Sequence, residues 1–138
     1  MKSIILRGRK VVGGTAEGEA LVTSQTISAW GGTDPTKGVV TEKRHELRGH
    51  SFAGKVLVFP SAKGSSGWAT VAQETRLFGN APRAMIIRDI NSLTAIGAVV
   101  MRVPTVTDLD QDPTEVISMG DWVKVDADNG TVEIIKKS

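Results

Sequence analysis

Residues 54–87 read GKVLVFPSAKGSSGWATVAQETRLFGNAPRAMII, and this stretch decides the fold class. Residues 54–59 form an apolar, β-branched run that ends at Pro60, which predicts a buried strand. After it, side chains suited to one helix face recur at i, i+3, i+4 and i+7: Trp68, Val71, Ala72 and Thr75. Residues 84–87 form a second buried strand. Such a strand–helix–strand unit predicts a parallel or mixed sheet covered by helices.

On both sides of this unit, short strand patterns alternate with glycine-rich loops. Further strands are predicted at residues 3–12, 18–23, 99–101, 105–107, 122–126 and 131–135. The last two flank Asn129-Gly130, a favourable hairpin turn. Helical patterns cover residues 92–98 and 114–117. We therefore predict a β-rich α/β domain with a mixed sheet and two or three short helices, spanning residues 1–138 as one domain.

Composition excludes several classes of protein. The chain has 138 residues, of which 40% are hydrophobic and 23% charged, so enough apolar surface exists to build a core. No apolar run suits a membrane span or a secretory signal, and we expect a cytoplasmic protein. Cysteine is absent, which rules out disulfides and a self-contained iron–sulfur cluster. A net charge of +2 with 4% aromatic residues gives little support to nucleic-acid binding.

The strongest local candidate for chemistry is the serine loop, residues 61–67 with the sequence SAKGSSG. It enters a predicted helix, whose first amides and dipole attract carboxylate or phosphate. Gly64 and Gly67 permit close backbone approach, Lys63 adds positive charge, and Ser65 and Ser66 supply two hydroxyls. The spacing is not that of a P-loop. A second interpretation is that one serine simply caps the helix, and spacing alone favours it.

Other polar residues give weaker signals. His45 and His50 lie in a charged, loop-like region without an acidic pair, so we expect surface histidines rather than a metal site. Glu17 and Glu19 would share one strand face, most simply a solvated one. Trp30 lies in the Trp30 loop, residues 28–38 with the sequence SAWGGTDPTKG. It either anchors that loop to the core or lines a pocket or subunit interface.

Six ordered motifs resemble a known family. They occupy residues 16–22 (AEGEALV), 27–35 (ISAWGGTDP), 54–60 (GKVLVFP), 63–66 (KGSS), 81–84 (APRA) and 95–98 (AIGA). In this order they resemble the aconitase X small subunit, which is also the C-terminal swivel domain of fused forms. The resemblance implies a swivelling β/β/α domain. It also implies a larger, cysteine-bearing partner subunit that builds most of the active site and holds an iron or iron–sulfur centre.

Enzymes of this family are hydro-lyases, so the resemblance implies dehydration of a small hydroxy acid. The family's substrates include cis-3-hydroxy-L-proline and mevalonate 5-phosphate. We favour cis-3-hydroxy-L-proline, because a phosphate dianion needs several donors or cations and the serine loop offers only Lys63 beside its amides. The alternatives are a mevalonate 5-phosphate dehydratase subunit and a non-catalytic binding or scaffold domain.

The same resemblance assigns roles to individual residues. In aconitases the swivel domain supplies a Gly-Ser-Ser-Arg stretch, whose first serine is the catalytic base and whose arginine binds substrate carboxylate. Residues 64–67 are similar to that stretch, which makes Ser65 the implied base and leaves Gly67 where the arginine would be. Lys63 or a partner residue would then replace the arginine. Within the Trp30 loop, the residues expected at the interface or cleft are Trp30, Gly31, Gly32 and Asp34.

A different class of protein has a similar C-terminal part. Residues 103–107, 119–126 and 129–132 also resemble the tail of phosphohistidine swivel domains. Those domains carry phosphate on a histidine that precedes the tail in mid-domain. No histidine follows His50 in this chain, so the carrier residue is missing.

Overall fold

A computed structural model describes residues 3–28, 32–64 and 67–137. Its strands are β1 Ser3–Arg7, β2 Arg9–Val12, β3 Thr15–Val22, β4 Ile27–Ser28, β5 Thr33–Asp34, β6 Val39–Val40, β7 Val56–Phe59, β8 Ala62–Lys63, β9 Ala84–Ile87, β10 Thr105–Thr107, β11 Trp122–Asp126 and β12 Thr131–Ile135. Its helices are α1 Gly67–Leu77, α2 Ser92–Met101 and α3 Pro113–Val116. No helix in the described part of the chain is long and apolar enough to cross a membrane.

The main sheet has eight strands in the order β1-β12-β11-β3-β7-β9-β10-β2. Strands β3, β7, β9 and β10 run parallel, while the pairs at both ends are antiparallel. Its two edge strands, β1 and β2, are separated in sequence by Gly8 alone. The sheet must therefore curl until its edges meet. Glycine is required there, since a Cβ at Gly8 would lie 2.4 Å from the carbonyl oxygen of Thr107.

Two apolar clusters lie on opposite faces of the curled sheet. The inner cluster includes buried strand residues Leu6, Ala20, Val56, Val58, Ala84, Ile86, Val106, Val123, Val125, Val132 and Ile134. The outer cluster packs Leu57, Phe59, Met85 and Ile87 against α1 and α2. Because side chains alternate along a strand, β7 and β9 are buried on both faces. Each large apolar side chain buried in this way contributes about 1.5–3 kcal/mol.

The predicted fold class is confirmed, with some boundaries changed. The strand predicted at residues 3–12 is divided at Gly8, and β3 begins at Thr15 rather than at residue 18. The strand predicted at residues 99–101 is wrong, because α2 continues to Met101. Two consecutive valines suggested a strand there. Packing of Gly97, Ala98 and Met101 against α1 overrides that local preference.

Candidate active site

The loops that follow β3, β7 and β9 lie together at the carboxyl ends of the parallel strands. The amide of Thr23, directly after β3, donates to the carbonyl of Val58 in β7 at 3.0 Å. The amide of Arg88, directly after β9, donates to the carbonyl of Phe59 at 3.1 Å. The serine loop leaves β7 between these two segments. Ligands of α/β folds commonly bind at the carboxyl ends of the parallel strands, so the topology supports the sequence-based choice of the serine loop.

Three of the five site residues predicted in the serine loop lie within the described part of the chain. Lys63 is the second residue of β8 and pairs with Ser28 of β4. Gly64 has a φ of +106°, a backbone conformation that favours glycine. Gly67 is the first residue of α1. Ser65 and Ser66 lie outside the described residues, so their predicted roles stay predictions.

Asn91 and Trp68 hold the start of the serine loop from two sides. The Nδ2 atom of Asn91 donates to Ser61 Oγ at 2.8 Å and to the Ala62 carbonyl at 3.0 Å. The indole Nε1 of Trp68 donates to the carbonyl of Lys63 at 3.2 Å, and its ring stacks on Phe59 with centroids 6.5 Å apart. The backbone that leads to Ser65 is therefore held by a side chain of α1 and by the residue directly before α2.

Asn91 also forms the N-cap of α2, which explains its orientation. Its Oδ1 accepts from the amide of Thr94, and the Thr94 hydroxyl accepts from the amide of Asn91. This reciprocal capping box fixes the asparagine while its amide nitrogen reaches the serine loop. Asn91 was not among the predicted site residues, although an asparagine directly before the helical pattern at residues 92–98 is a capping signal.

Lys63 forms an ion pair with Glu42. Lys63 Nζ lies 2.7 Å from Glu42 Oε2, and the glutamate side chain is 22% exposed. Burial raises the pKa of Glu42, but hydrogen bonds from Lys63 and from the amide of Ser28 outweigh it and hold the pKa below its usual value. Lys63 was expected to offer its positive charge to the substrate, but that charge is matched by the carboxylate of Glu42, which was not a predicted site residue.

In the Trp30 loop, Gly32 and Asp34 have structural roles of their own. A Cβ at Gly32 would lie 1.9 Å from the carbonyl oxygen of Ser28, so only glycine fits. The Oδ1 atom of Asp34 accepts from the amide and hydroxyl of Thr36, and these bonds lower the pKa of Asp34. Trp30 and Gly31 lie outside the described residues. The interface role predicted for the four residues stays a prediction.

His45 is buried, so its assignment to the surface is wrong. Its Nδ1 accepts from the amide of Leu47 at 3.0 Å, and the carbonyl of Thr26 lies 3.1 Å from Nε2. With Nδ1 accepting, Nε2 is the atom that donates to the Thr26 carbonyl. The chain after Glu42 folds back onto residues 23–28, and that long-range contact buries the imidazole. His50 is exposed, as expected.

Glu17 and Glu19 lie on the outer face of β3, as the spacing predicted. Glu17 accepts from the indole Nε1 of Trp122 at 2.9 Å, and Glu19 lies 3.6 Å from Lys55 Nζ. A concavity of about 510 Å³ on this face is lined by charged and polar strand residues, Glu17 among them. These contacts belong to a solvated sheet surface and do not form a pair suited to acid–base chemistry.

The described residues offer no cluster of metal-ligating side chains. Within residues 3–28, 32–64 and 67–137, no group of three or more histidine, aspartate or glutamate side chains could hold a metal ion. The sequence also has no cysteine.

Comparison with known proteins identifies the family. The aconitase X swivel domain family matches residues 5–134. This chain belongs to the aconitase X swivel domain family. It is 41% identical to the phosphomevalonate dehydratase small subunit of Thermococcus gammatolerans, over 94% of this chain and 97% of that protein. It is 40% identical to the protein of the same name from Methanosarcina acetivorans, over 99% of this chain and 94% of that protein.

A solved structure extends the comparison to three dimensions. The crystal structure of Thermococcus kodakaraensis aconitase X in its holo-form matches this fold with a TM-score of 0.91 and 41% identity. The match covers 96% of this chain and 99% of that chain. The aconitase X swivel fold inferred from the six motifs is therefore confirmed. The assignment to a family of dehydratase subunits is confirmed as well. The names of these relatives refer to phosphomevalonate, the alternative substrate of the sequence analysis, and not to cis-3-hydroxy-L-proline.

Proposed function

We propose that this chain is the small subunit of a phosphomevalonate dehydratase, a hydro-lyase that removes water from mevalonate 5-phosphate. The observation that carries the proposal is the name shared by the relatives, which match nearly the whole chain at about 40% identity. The same observation replaces our preference for cis-3-hydroxy-L-proline.

In this proposal the serine loop forms only one side of a site shared with the larger subunit. Lys63 is engaged by Glu42, and Arg88 at the end of β9 lies 2.9 Å from Asp89 and 3.5 Å from Asp112. Both of these described cations therefore already have carboxylate partners. A phosphate dianion would be bound mainly by donors of the larger subunit, and a scarcity of cations here does not count against it.

In this proposal Ser65 is the base. Dehydration of a β-hydroxy acid breaks a bond from carbon to hydrogen and a bond from carbon to hydroxyl. Ser65, as an alkoxide, takes the proton from the carbon beside the carboxylate. The electron pair of that C–H bond forms the C=C bond, and the hydroxyl on the next carbon leaves as hydroxide, which takes up a proton to become water. A serine oxygen is a weak base unless its charged form is stabilised. The N-terminus of α1, which has no acidic residue in its first turn, favours negative charge at that position.

The neighbouring residues would bind and orient the substrate. Gly64 and Gly67 leave the backbone open to close approach, and Ser66 adds a second hydroxyl. Because Lys63 is paired with Glu42, a residue of the larger subunit would replace the arginine that binds the substrate carboxylate in aconitases, and Lys63 would hold the loop in place. We propose that the metal centre of the enzyme, an iron or iron–sulfur centre, belongs entirely to a larger, cysteine-bearing subunit.

The test is reconstitution of the complex with the larger subunit from the same source. Each candidate substrate is added separately, and the product that is one water lighter is measured by mass spectrometry. We expect dehydration of mevalonate 5-phosphate by the complex and none by either subunit alone. Dehydration of cis-3-hydroxy-L-proline alone would overturn the substrate assignment, and no effect of this chain on turnover would favour a scaffold role.

A further inference from the structure

Glu42 contacts both loops of the candidate active site. Its amide donates to the carbonyl of Gly32 at 3.2 Å, and its Oε1 accepts from the amide of Ser28 at 3.3 Å. Its Oε2 accepts from Lys63 Nζ at 2.7 Å. Ser28 and Gly32 lie on either side of Trp30, and Lys63 lies two positions before Ser65. One residue therefore joins both flanks of Trp30 to the serine loop.

The carboxylate of Glu42 is suited to this bridging role. It is mostly buried, and its pKa lies below the usual value, so it carries a full negative charge at neutral pH. Hydrogen bonds to an ionised acceptor are about twice as strong as those between neutral groups. The ladder between β4 and β8, which it reinforces, is only two residues long.

Two nearby side chains, those of His45 and Glu46, bond to the segment that leads into β4, but in the described contacts they do not reach the serine loop. His45 bonds to the carbonyl of Thr26, and Glu46 accepts from the amide of Ser24 at 3.2 Å. Together with Glu42 they fasten residues 23–28 to the segment that follows Val40. Glu46 therefore provides a matched control, since it has the same charge and a similar task farther from Ser65.

We propose that Glu42 is a positioning residue, which holds both flanks of the Trp30 loop, at Ser28 and Gly32, against Lys63 in the serine loop, and that the reaction at Ser65 depends on this arrangement. This inference rests on the proposed function, in which Ser65 is the base. A displacement of about 1 Å at a reacting group can cost about 100-fold in rate. Loss of the bridge should therefore lower kcat while leaving substrate affinity nearly unchanged.

The experiment compares Glu42→Ala, Glu42→Gln and Glu46→Gln in the reconstituted complex. We expect Glu42→Ala to lower kcat about 10-fold or more with KM within about twofold. Glu42→Gln keeps the side-chain size and one acceptor oxygen, so it should fold normally and show a smaller loss. Glu46→Gln should lower the thermal midpoint without lowering kcat. Equal kcat values for the Glu42 and Glu46 variants would overturn the inference.

Hydrogen exchange of the same complexes gives a readout that does not depend on the reaction. Glu42→Gln should speed exchange in peptides that cover residues 26–28 and 61–64, whereas Glu46→Gln should speed it only around residues 23–25. Unchanged exchange near residues 61–64 in Glu42→Gln would overturn the positioning role. A wild-type complex without dehydratase activity would contradict the proposed function instead, and the exchange data would still decide the role of Glu42.

Discussion

The Nδ2 atom of Asn91 donates to the carbonyl of Ala62 at 3.0 Å, so the cap of the helix after β9 also holds the loop after β7. One asparagine thus serves two structures: its oxygen begins α2, and its nitrogen fixes the segment that leads to Ser65. Because the two tasks use different atoms, substitutions can separate them.

Asn91→Asp should retain the cap and release the loop. Aspartate keeps the oxygen that accepts from Thr94 but lacks the donors to Ser61 and Ala62. We expect a thermal midpoint close to that of the wild type, with a lower kcat in the reconstituted complex. Asn91→Ala removes both functions and should also cost about 0.5–2 kcal/mol of folding stability. Equal kcat for Asn91→Asp and the wild type would show that the loop does not need this bond.

Ser65→Ala should lower turnover of the reconstituted complex by at least about 100-fold, the scale of a lost general base. Assembly with the larger subunit should persist, because the change removes one hydroxyl. Ser66→Ala is the matched control and should have a smaller effect. If Ser65 only caps α1, its replacement would instead cost about 0.5–2 kcal/mol of stability and leave turnover near normal. Turnover and thermal midpoint of both variants distinguish the two roles.

The Trp30 loop should become protected when the larger subunit binds. It is long and rich in glycine, and loops of this kind commonly carry binding functions. We expect slower hydrogen exchange at residues 28–38 in the complex than in the free chain. Gly49, which lies in a separate turn, offers an internal reference. Identical exchange across residues 28–38 in both states would contradict an interface in this loop.

Stability should fall in acid because of Asp121. Its side chain is 1% exposed, and Oδ2 lies 2.6 Å from Lys136 Nζ. Burial raises the pKa of Asp121, but hydrogen bonds from Lys136 and from the amides of Lys137 and Ser118 outweigh it, and the pKa lies below 3.8. A lowered pKa means that the unfolded chain binds the proton more tightly. The stabilisation is therefore complete above the usual carboxyl pKa and is lost as the pH falls through the lowered value.

Asp121→Asn tests this pH dependence. The amide cannot replace the charge beside Lys136, so the variant should be less stable than the wild type at pH 7. The difference in unfolding free energy between the two proteins should shrink as the pH falls below about 4. Urea unfolding at a series of pH values measures it. A constant difference across that range would assign the acid sensitivity to other groups.

Local sequence patterns were sufficient for the central elements of the fold. The apolar run at residues 54–59 predicted β7, and the helical spacing from Trp68 to Thr75 predicted α1. A strand buried on both faces is apolar throughout, whereas a helix buried on one face repeats its buried residues every three to four positions. The Asn129-Gly130 pair likewise gave the hairpin of β11 and β12. The ordered motifs, including residues 63–66, were sufficient for the family.

Tertiary structure alone decided which distant residues meet. The edges of the sheet join at Gly8, and Glu42 pairs with Lys63 across 21 positions of sequence. His45 is buried because the chain returns to Thr26. No periodicity records such contacts, since a hydrogen bond between remote segments depends on where the whole chain places them. The sequence by itself therefore determined the elements, the family and the serine motif, and the tertiary structure determined what holds that motif in place.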